Sequence, residues 1–345
     1  MALWADGNQT VQDCMQKIGI LGAGAWGTAL AQTAALAGRD VTLWAREPDV
    51  VDAISKSGEN SLFLPGIPLS DKIAATGSLA DLAGMDAILL VTPAQHIRRL
   101  TDQMMVSIHA KDRPALVICA KGIEIDTGEL LSSAVAAVAP QCKLAVLSGP
   151  TFASEAARGM PTAVTLACAD KPVGEALIAA LGRPAFRPYY SPDPIGAQVG
   201  GAIKNVFAIA SGMIEGLGLG DNARAALISR GMAEMMRLGE ALGANRETLM
   251  GLSGLGDLIL TCTSRQSRNY SLGLDLGKGR GIDDILATRH TVAEGYHTAH
   301  AAQALADRLS IDMPITRAVH QVVTASLSIE QAMAELLARP FTSEF

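Results

Sequence analysis

The first half of the chain alternates short apolar runs with segments of helical periodicity. Six runs predict strands, at residues 17–21, 41–44, 87–91, 115–120, 144–147 and 163–168. Most of these runs lack the alternation of apolar and polar positions that a half-exposed strand has, which is typical of strands buried on both faces of a parallel sheet. Strands of this kind with helices between them predict a doubly wound, mostly parallel α/β domain.

The pattern changes after Tyr189, where strand-like runs give way to helical spacing. The segment Ser191-Pro192-Asp193-Pro194 predicts a helix that begins at Pro194 with Asp193 as its N-cap. Further helices are predicted up to the C-terminus, with Pro314 separating two of them. We therefore expect an N-terminal extension over residues 1–16, a sheet domain over 17–190 and an all-α domain over 191–345.

Composition narrows the class of partner. The 345 residues carry a net charge of −6 without a basic run, which disfavours nucleic acid and anionic membranes as partners and favours a small molecule. No apolar stretch is long enough to span a membrane, and residues 1–16 lack the basic and apolar blocks of a signal peptide. Five widely spaced cysteines suit reduced thiols. We expect a cytoplasmic protein.

Metal ligation is not expected from the sequence, since paired or clustered ligand motifs are missing. His297 and His300 have helical spacing but no third ligand nearby, and we interpret them as part of a solvated helix face.

A glycine-rich segment gives the first specific indication of chemistry. Gly22, Gly24 and Gly27 form a G-x-G-x-x-G pattern between the first predicted strand and a helix that opens at Thr28. In this context the glycines allow a tight turn, close approach of a pyrophosphate and close packing of helix on strand, with the helix N-terminus facing the phosphates. The segment predicts a dinucleotide site, and the sheet domain is then of Rossmann type.

The end of the second strand bears on which dinucleotide is bound. An NAD-preferring site has Asp or Glu there, but the chain reads Leu43-Trp44-Ala45-Arg46-Glu47. Arg46 suits a 2′-phosphate and favours NADP as the preferred cofactor. Two alternatives stay open: Arg46 is a surface residue, or Glu47 binds the ribose of NAD.

Three charged residues lie at positions that suggest a functional role. Lys204 lies in a helical stretch of small and apolar residues, where an unpaired ammonium is expensive to bury. Lys121 ends a predicted strand, where ligands of open α/β sheets bind, and Asp257 lies in a glycine-rich turn. An ordinary snorkelling lysine and a structural turn aspartate are the alternatives.

Ordered segments across the chain from Lys17 onward resemble bacterial NAD(P)-dependent glycerol-3-phosphate dehydrogenase. The resemblance rests on residues 22–28, 64–66, 120–122, 148–153, 202–205, 254–257, 268–269 and 293–295. It implies an oxidoreductase that interconverts sn-glycerol 3-phosphate and dihydroxyacetone phosphate by hydride transfer and supplies glycerol 3-phosphate for phospholipid synthesis. The implied ligands are NADP or NAD and a small phosphorylated substrate, and a homodimer is one alternative for its assembly.

The same resemblance implies roles for individual residues. Lys204 would be the general acid/base, with Asp257 setting its charge and position and Lys121 as the third catalytic residue. The substrate would be bound by Lys121, Gly149, Thr151, Lys204, Asn205, Asp257, Ser267, Arg268 and Asn269, the residues 267–269 holding its phosphate. The dinucleotide would be bound by Gly22, Gly24, Ala25, Trp26, Gly27, Arg46, Lys121, Ala153, Arg268, Val292 and Glu294.

Two other functions remain as alternatives. A related hydroxyacid or ketopantoate-type reductase has the same order of domains, but its substrates lack the phosphate that residues 267–269 would bind. A non-catalytic NADP sensor is disfavoured because Lys204, Lys121 and Asp257 occur together.

Overall fold

The structure, a computed structural model, describes residues 15–109, 113–288 and 293–341. Eight strands form one sheet in the order β3-β2-β1-β4-β5-β6-β7-β8. The strands are Lys17–Leu21 (β1), Asp40–Trp44 (β2), Ile73–Thr76 (β3), Ala87–Leu90 (β4), Ala115–Ile118 (β5), Leu144–Ser148 (β6), Thr162–Cys168 (β7) and Phe186–Ser191 (β8). Neighbours pair in parallel except β6 with β7, which are antiparallel.

The predicted fold class is confirmed, because the first six strands have the order of a Rossmann-type sheet. All six predicted strands are present, with ends that differ by up to two residues. The sequence did not predict β3 and β8, which are the two edge strands of the sheet. Edge strands are half exposed, and β8 contains Pro188, so neither has the continuous apolar run by which the central strands were recognised.

Helices between the strands cover both faces of the sheet. They are Ala25–Leu36 (α1), Pro48–Ser57 (α2), Ile97–Met105 (α3), Leu131–Val138 (α4), Ala153–Ala157 (α5) and Lys171–Leu181 (α6). On one face, Leu30 of α1 and Leu177 of α6 pack in a core with Leu89 of β4, and on the other, Ile97 of α3 packs with Ile88 and Leu90. Successive residues of β4 thus enter opposite cores, which explains why its sequence is apolar without alternation.

From Pro194 onward the regular elements of the described chain are helices. They are Pro194–Gly216 (α7), Gly220–Ala241 (α8), Arg246–Met250 (α9), Asp257–Thr263 (α10), Arg268–Gly277 (α11), Ile282–Thr288 (α12), Glu294–Leu309 (α13), Pro314–Val323 (α14) and Ile329–Leu337 (α15). The predicted start of α7 is confirmed, because the Asp193 carboxylate accepts a hydrogen bond from the Gly196 amide at 2.8 Å. None of the helices in the described residues is long and apolar enough to cross a membrane.

Contacts divide the chain into two compact units. Residues up to 121 together with 129–198 form the first unit, and residues 122–128 together with 199 onward form the second. The division falls inside α7, eight residues beyond the boundary expected from the sequence. The assignment of cofactor binding to one domain and of catalysis to the other stays a prediction.

Candidate active site

The glycine-rich turn between β1 and α1 has the geometry that its pattern predicts. Gly22 has a φ of 121°, a conformation that side chains other than glycine rarely adopt. A Cβ added at Gly27 would lie 1.8 Å from the Gly22 carbonyl oxygen, so only glycine lets α1 approach the turn this closely. A Cβ added at Gly24 would meet no atom within 4 Å. The space over Gly24 is therefore open to a ligand.

The N-terminus of α1 is suited to an anion. Its N-cap residue, Gly24, supplies no side-chain cap, and the first turn has no acidic residue. The first amides of a helix carry partial positive charge and need acceptors, which the pyrophosphate of a dinucleotide can provide. The turn, the open space over Gly24 and the helix end together fit the predicted cofactor, and Ala25 and Trp26 are the first two residues of this helix.

The turn is braced by Asn60, a residue that the sequence analysis missed. Its side chain is fully buried and donates to the Ala23 carbonyl and to the Thr28 hydroxyl, both at 2.8 Å. Its own carbonyl oxygen accepts from the Phe63 amide at 3.1 Å. Nothing in the sequence distinguishes this asparagine from an ordinary loop amide, because the two groups to which it donates lie more than 30 positions away.

Arg46 lies two residues beyond the end of β2 and is ion-paired with its neighbour. Its Nη2 lies 2.6 Å and its Nε 2.9 Å from the same Glu47 oxygen, and its side chain is 76% exposed. The guanidinium that would bind a 2′-phosphate and the carboxylate that would bind a ribose hydroxyl therefore neutralise each other. Exposed pairs of this kind are weak, of order 0 to 1 kcal/mol, so a bound phosphate could displace Glu47.

Lys121 is brought together with two other predicted substrate residues. It lies three residues beyond β5, and its Nζ donates to the Gly149 carbonyl oxygen at 3.0 Å. The Thr151 hydroxyl donates to the same oxygen at 3.2 Å. Ala153, the first residue of α5, and Trp26 both pack against one small buried cluster, so the structure brings these two predicted cofactor residues to the same region.

Lys204 lies in the middle of α7 and forms a buried cluster with α10. Its Nζ donates to the Asp257 carboxylate at 2.5 Å and to the Thr261 hydroxyl at 2.8 Å. Lys204 is 6% exposed, and Asp257 is fully buried. A buried ammonium needs an opposite charge and further hydrogen bonds to offset its lost hydration, and this cluster supplies both. The snorkelling alternative for Lys204 is wrong.

Two features of this cluster were not anticipated. Thr261 follows Asp257 by one helical turn, a spacing of four residues that could have indicated a shared partner. A π-helical turn over Leu252–Gly256 precedes α10, and a Cβ on Gly200 of α7 would lie 2.5 Å from the Ser253 carbonyl oxygen. Backbone therefore packs on backbone where α7 passes this turn.

A second buried network connects α7, α11 and α13. The Asn269 side-chain Nδ2 donates to the Asn205 side-chain Oδ1 at 2.9 Å, and the Asn269 Oδ1 accepts from the Gly295 backbone amide at 2.9 Å. Ser267 caps α11 by accepting from the Tyr270 amide, and Arg268 is an exposed residue in the first turn of that helix. Glu294 is the first residue of α13. Val292, also predicted to contact the cofactor, lies outside the described residues.

His300, which we interpreted as part of a solvated helix face, is half-buried, and its ring packs against α14. Its ring lies 4.9 Å from the His320 ring on α14 and 5.2 Å from the Tyr296 ring, centroid to centroid. Burial and the neighbouring His300 hold the pKa of His320 below its usual value. In the part of the chain that the structure describes, no group of three or more His, Cys, Asp or Glu side chains is placed to hold a metal ion.

Comparison with known proteins decides the family. Two family models, described as the N-terminus and the C-terminus of NAD-dependent glycerol-3-phosphate dehydrogenase, match residues 17–173 and 193–334. The chain belongs to this glycerol-3-phosphate dehydrogenase family. The resemblance predicted from the ordered sequence segments is thereby confirmed.

Individual members of the glycerol-3-phosphate dehydrogenase family are similar over nearly the whole chain. Glycerol-3-phosphate dehydrogenase [NAD(P)+] of Parvibaculum lavamentivorans is 57% identical over 95% of this chain and 98% of its own length. The protein of that name from Rhodospirillum rubrum is 56% identical over 96% of this chain and 94% of its own. The crystal structure of the glycerol-3-phosphate dehydrogenase of Coxiella burnetii superposes with a TM-score of 0.90 at 41% identity, covering 94% and 99% of the two chains.

Proposed function

We propose that this chain catalyses the reversible, NAD(P)-dependent interconversion of dihydroxyacetone phosphate and sn-glycerol 3-phosphate. The buried cluster of Lys204, Asp257 and Thr261 is the observation that carries the proposal, together with membership of the family. An ion pair with a purely structural role would not require a buried ammonium in a helix of small residues. Reduction of a carbonyl, in contrast, needs a proton donor fixed beside an oxygen that gains negative charge.

Residues around the glycine-rich turn would hold the dinucleotide. The amides at the start of α1 and the open face of Gly24 would receive the pyrophosphate, with Trp26 and Ala153 alongside. Arg268, Glu294, Lys121 and Val292 complete the proposed set. When bound, the nicotinamide supplies or accepts the hydride. Arg46 would favour NADP over NAD by releasing Glu47 and pairing with the 2′-phosphate.

Lys204 would act as the general acid in reduction and the general base in oxidation. Its Nζ is held by two acceptors on one turn of α10, so its position is fixed before substrate arrives. Asp257 keeps the ammonium paired in a buried setting, which stabilises the protonated form that donates to the substrate oxygen. In the reverse direction the same nitrogen takes the proton from the alcohol.

The remaining polar residues would bind the two ends of the substrate. Lys121 and Thr151, which both donate to the Gly149 carbonyl oxygen, would contact the end that reacts. Ser267, Arg268 and Asn269 begin α11 and would bind the phosphate, where the planar guanidinium of Arg268 can donate two parallel hydrogen bonds. Asn205 would orient Asn269 through their hydrogen bond.

We infer the metabolic role of this protein from its product, and this role is part of the proposal. Glycerol 3-phosphate made here would supply phospholipid synthesis in the cytoplasm. We retain the homodimer and the division into a cofactor domain and a catalytic domain as predictions.

A coupled assay tests the proposal directly. Purified protein is incubated with NADPH or NADH and with dihydroxyacetone phosphate, unphosphorylated dihydroxyacetone or ketopantoate. We expect oxidation of the nicotinamide with dihydroxyacetone phosphate and a much smaller rate with the other two substrates. Equal rates on ketopantoate would support the alternative reductase, and tight NADPH binding without turnover of any substrate would support a sensor.

A further inference from the structure

The loop over residues 122–128 follows Lys121 directly and has an internal structure of its own. Its first three residues, including Glu124, are buried. The Glu124 carboxylate accepts from the Thr127 hydroxyl at 2.7 Å, and the Glu124 carbonyl accepts from the Gly128 amide at 2.8 Å. Gly128 has a φ of 66°, which turns the chain at the end of the loop. The loop is therefore a compact turn that contains two internal hydrogen bonds.

Arg308, in the last turn of α13, holds the far end of this loop. Its Nη1 donates to the Thr127 carbonyl and its Nη2 to the Gly128 carbonyl, each at 3.1 Å. A planar guanidinium can donate two parallel bonds to adjacent carbonyl oxygens in one fixed geometry, whereas a lysine ammonium is a point charge on a flexible stem. A Cβ on Gly128 would lie 3.3 Å from Nη1, so glycine at this position leaves room for the contact.

The other end of α13 is tied to the residues around Lys204. The Gly295 amide, in the first turn of α13, donates to Asn269, which in turn donates to Asn205, the neighbour of Lys204 on α7. A helix of 16 residues is rigid over roughly 24 Å. Helix α13 is thus fixed at its start to the Asn205 network and at its end to the loop that follows Lys121.

We propose that Arg308 is a positioning residue for Lys121. By holding the carbonyls of Thr127 and Gly128, it fixes the 122–128 loop and, through the continuous backbone, the place from which the Lys121 side chain extends. Small displacements of a substrate-binding group lower rates steeply, since a shift of about 1 Å can reduce turnover by roughly 100-fold. The inference rests on the proposed function, because substrate binding by Lys121 is part of that proposal.

The test compares Arg308→Met, Arg308→Lys and the wild-type protein. Arg317→Met is the matched control, because Arg317 is an exposed cation on the next helix, α14. In Arg308→Met we expect kcat/KM for dihydroxyacetone phosphate to fall roughly 10-fold, mainly through KM, with a smaller rise in the Kd of NADPH, because Lys121 is only one of several residues in the proposed cofactor set. Guanidinium ion at millimolar concentration should restore part of the loss, and Arg308→Lys should lie between wild type and Arg308→Met.

A readout that does not depend on activity keeps the inference separate from the proposed function. The rate at which an acylating reagent labels Lys121 is followed by peptide mass spectrometry in all four proteins. We expect faster labelling in Arg308→Met and wild-type labelling in Arg317→Met. If labelling of Lys121 is unchanged in Arg308→Met, the inference is wrong whatever the kinetics. If labelling changes but wild-type protein does not reduce dihydroxyacetone phosphate, the proposed function fails while the positioning of Lys121 by Arg308 stands.

Discussion

At the scale of single residues, the burial of Lys204 beside Asp257 is the feature that most strongly indicates a function. Bringing both charges out of water is costly, and replacing such a pair by apolar residues is often neutral or stabilising in proteins. We therefore expect the ion pair and the Thr261 hydroxyl to contribute more to catalysis than to the stability of the folded state. They fix a proton donor whose position does not depend on the substrate.

Replacement of Lys204 separates chemistry from cofactor binding. We expect Lys204→Ala to lower kcat by about 10² to 10⁴-fold, the usual contribution of a positioned acid or base, with little change in NADPH affinity. Unfolding should also become easier, because the buried Asp257 carboxylate loses its opposite charge. Steady-state rates and NADPH fluorescence titration on one preparation measure both effects. Thr261→Val keeps the ion pair and should lose less activity; a near-wild-type rate in Lys204→Ala would refute the role of Lys204.

The choice between NADPH and NADH is also decided by single residues. Arg46, the proposed ligand of the 2′-phosphate, is paired with Glu47, whose carboxylate competes with that phosphate. Arg46→Asp should lower the ratio of kcat/KM for NADPH to that for NADH, by roughly 5- to 100-fold for one lost charged contact. Glu47→Gln should raise the ratio, since it removes the competing carboxylate. The two substitutions therefore shift selectivity in opposite directions if Arg46 reads the 2′-phosphate. Raised salt should weaken both effects. An unchanged ratio in both variants would mean that Arg46 faces solvent only.

At the scale of elements, a buried carboxylate joins two helices of the second unit. Glu234 of α8 accepts from the Ile315 amide at 2.6 Å and from the Thr316 amide at 3.1 Å, at the start of α14. The Thr316 hydroxyl donates to it at 2.9 Å. Burial raises the pKa of Glu234 to about 7, against the lowering effect of these bonds and of Arg237. Glu234 thus caps α14 from another helix.

The burial of the Glu234 carboxyl group makes the free energy of unfolding depend on pH. The folded pKa of about 7 lies above the ordinary value of 4.5, so the folded state keeps a proton that the unfolded state has lost. The contribution of Glu234 is then complete below pH 4.5 and is lost as pH rises through about 7. The loss should be at most about 3 to 4 kcal/mol, at about 1.4 kcal/mol per pKa unit.

Denaturant unfolding of wild type and Glu234→Gln at pH 5 and pH 8 measures this dependence. The stability of wild type relative to Glu234→Gln should fall from pH 5 to pH 8. Titration of His320 affects both proteins alike and cancels in the difference. Parallel pH dependence in the two proteins would show that Glu234 does not titrate in this range.

At the scale of the whole molecule, the sequence predicted the elements that have a local sequence pattern. It did not predict the strands at the edges of the sheet. The central strands, the glycine turn and the start of α7 at Pro194 could be predicted, because each has a local pattern. Strands β3 and β8 could not, because edge strands lack an apolar run. In the site, Lys204 and Asp257 stood out by their surroundings, whereas Asn60 and Thr261 act through partners distant along the chain.

Cofactor binding should stabilise the first unit, and Gly24 allows this to be tested without disturbing the fold. Gly24 has a φ of −64° and ψ of 178°, which alanine adopts easily, and a methyl group there meets no protein atom. In wild type, NADPH at 100 times its Kd should add about 2.7 kcal/mol of stability and raise the unfolding midpoint by a few degrees. Gly24→Ala should keep the ligand-free midpoint but lose most of this shift, because its methyl occupies the space left for the pyrophosphate.

Tryptophan fluorescence is the appropriate probe for this experiment, since Trp26 and Trp44 both lie in the first unit. Gly27→Ala is the contrasting variant, because its methyl would overlap the Gly22 carbonyl and should lower the midpoint even without ligand. A Gly24→Ala protein that is stabilised by NADPH as much as wild type would place the pyrophosphate elsewhere. The two variants thus distinguish two roles of glycine in the turn. Gly27 is needed for the packing of the turn itself, and Gly24 is needed for binding of the ligand.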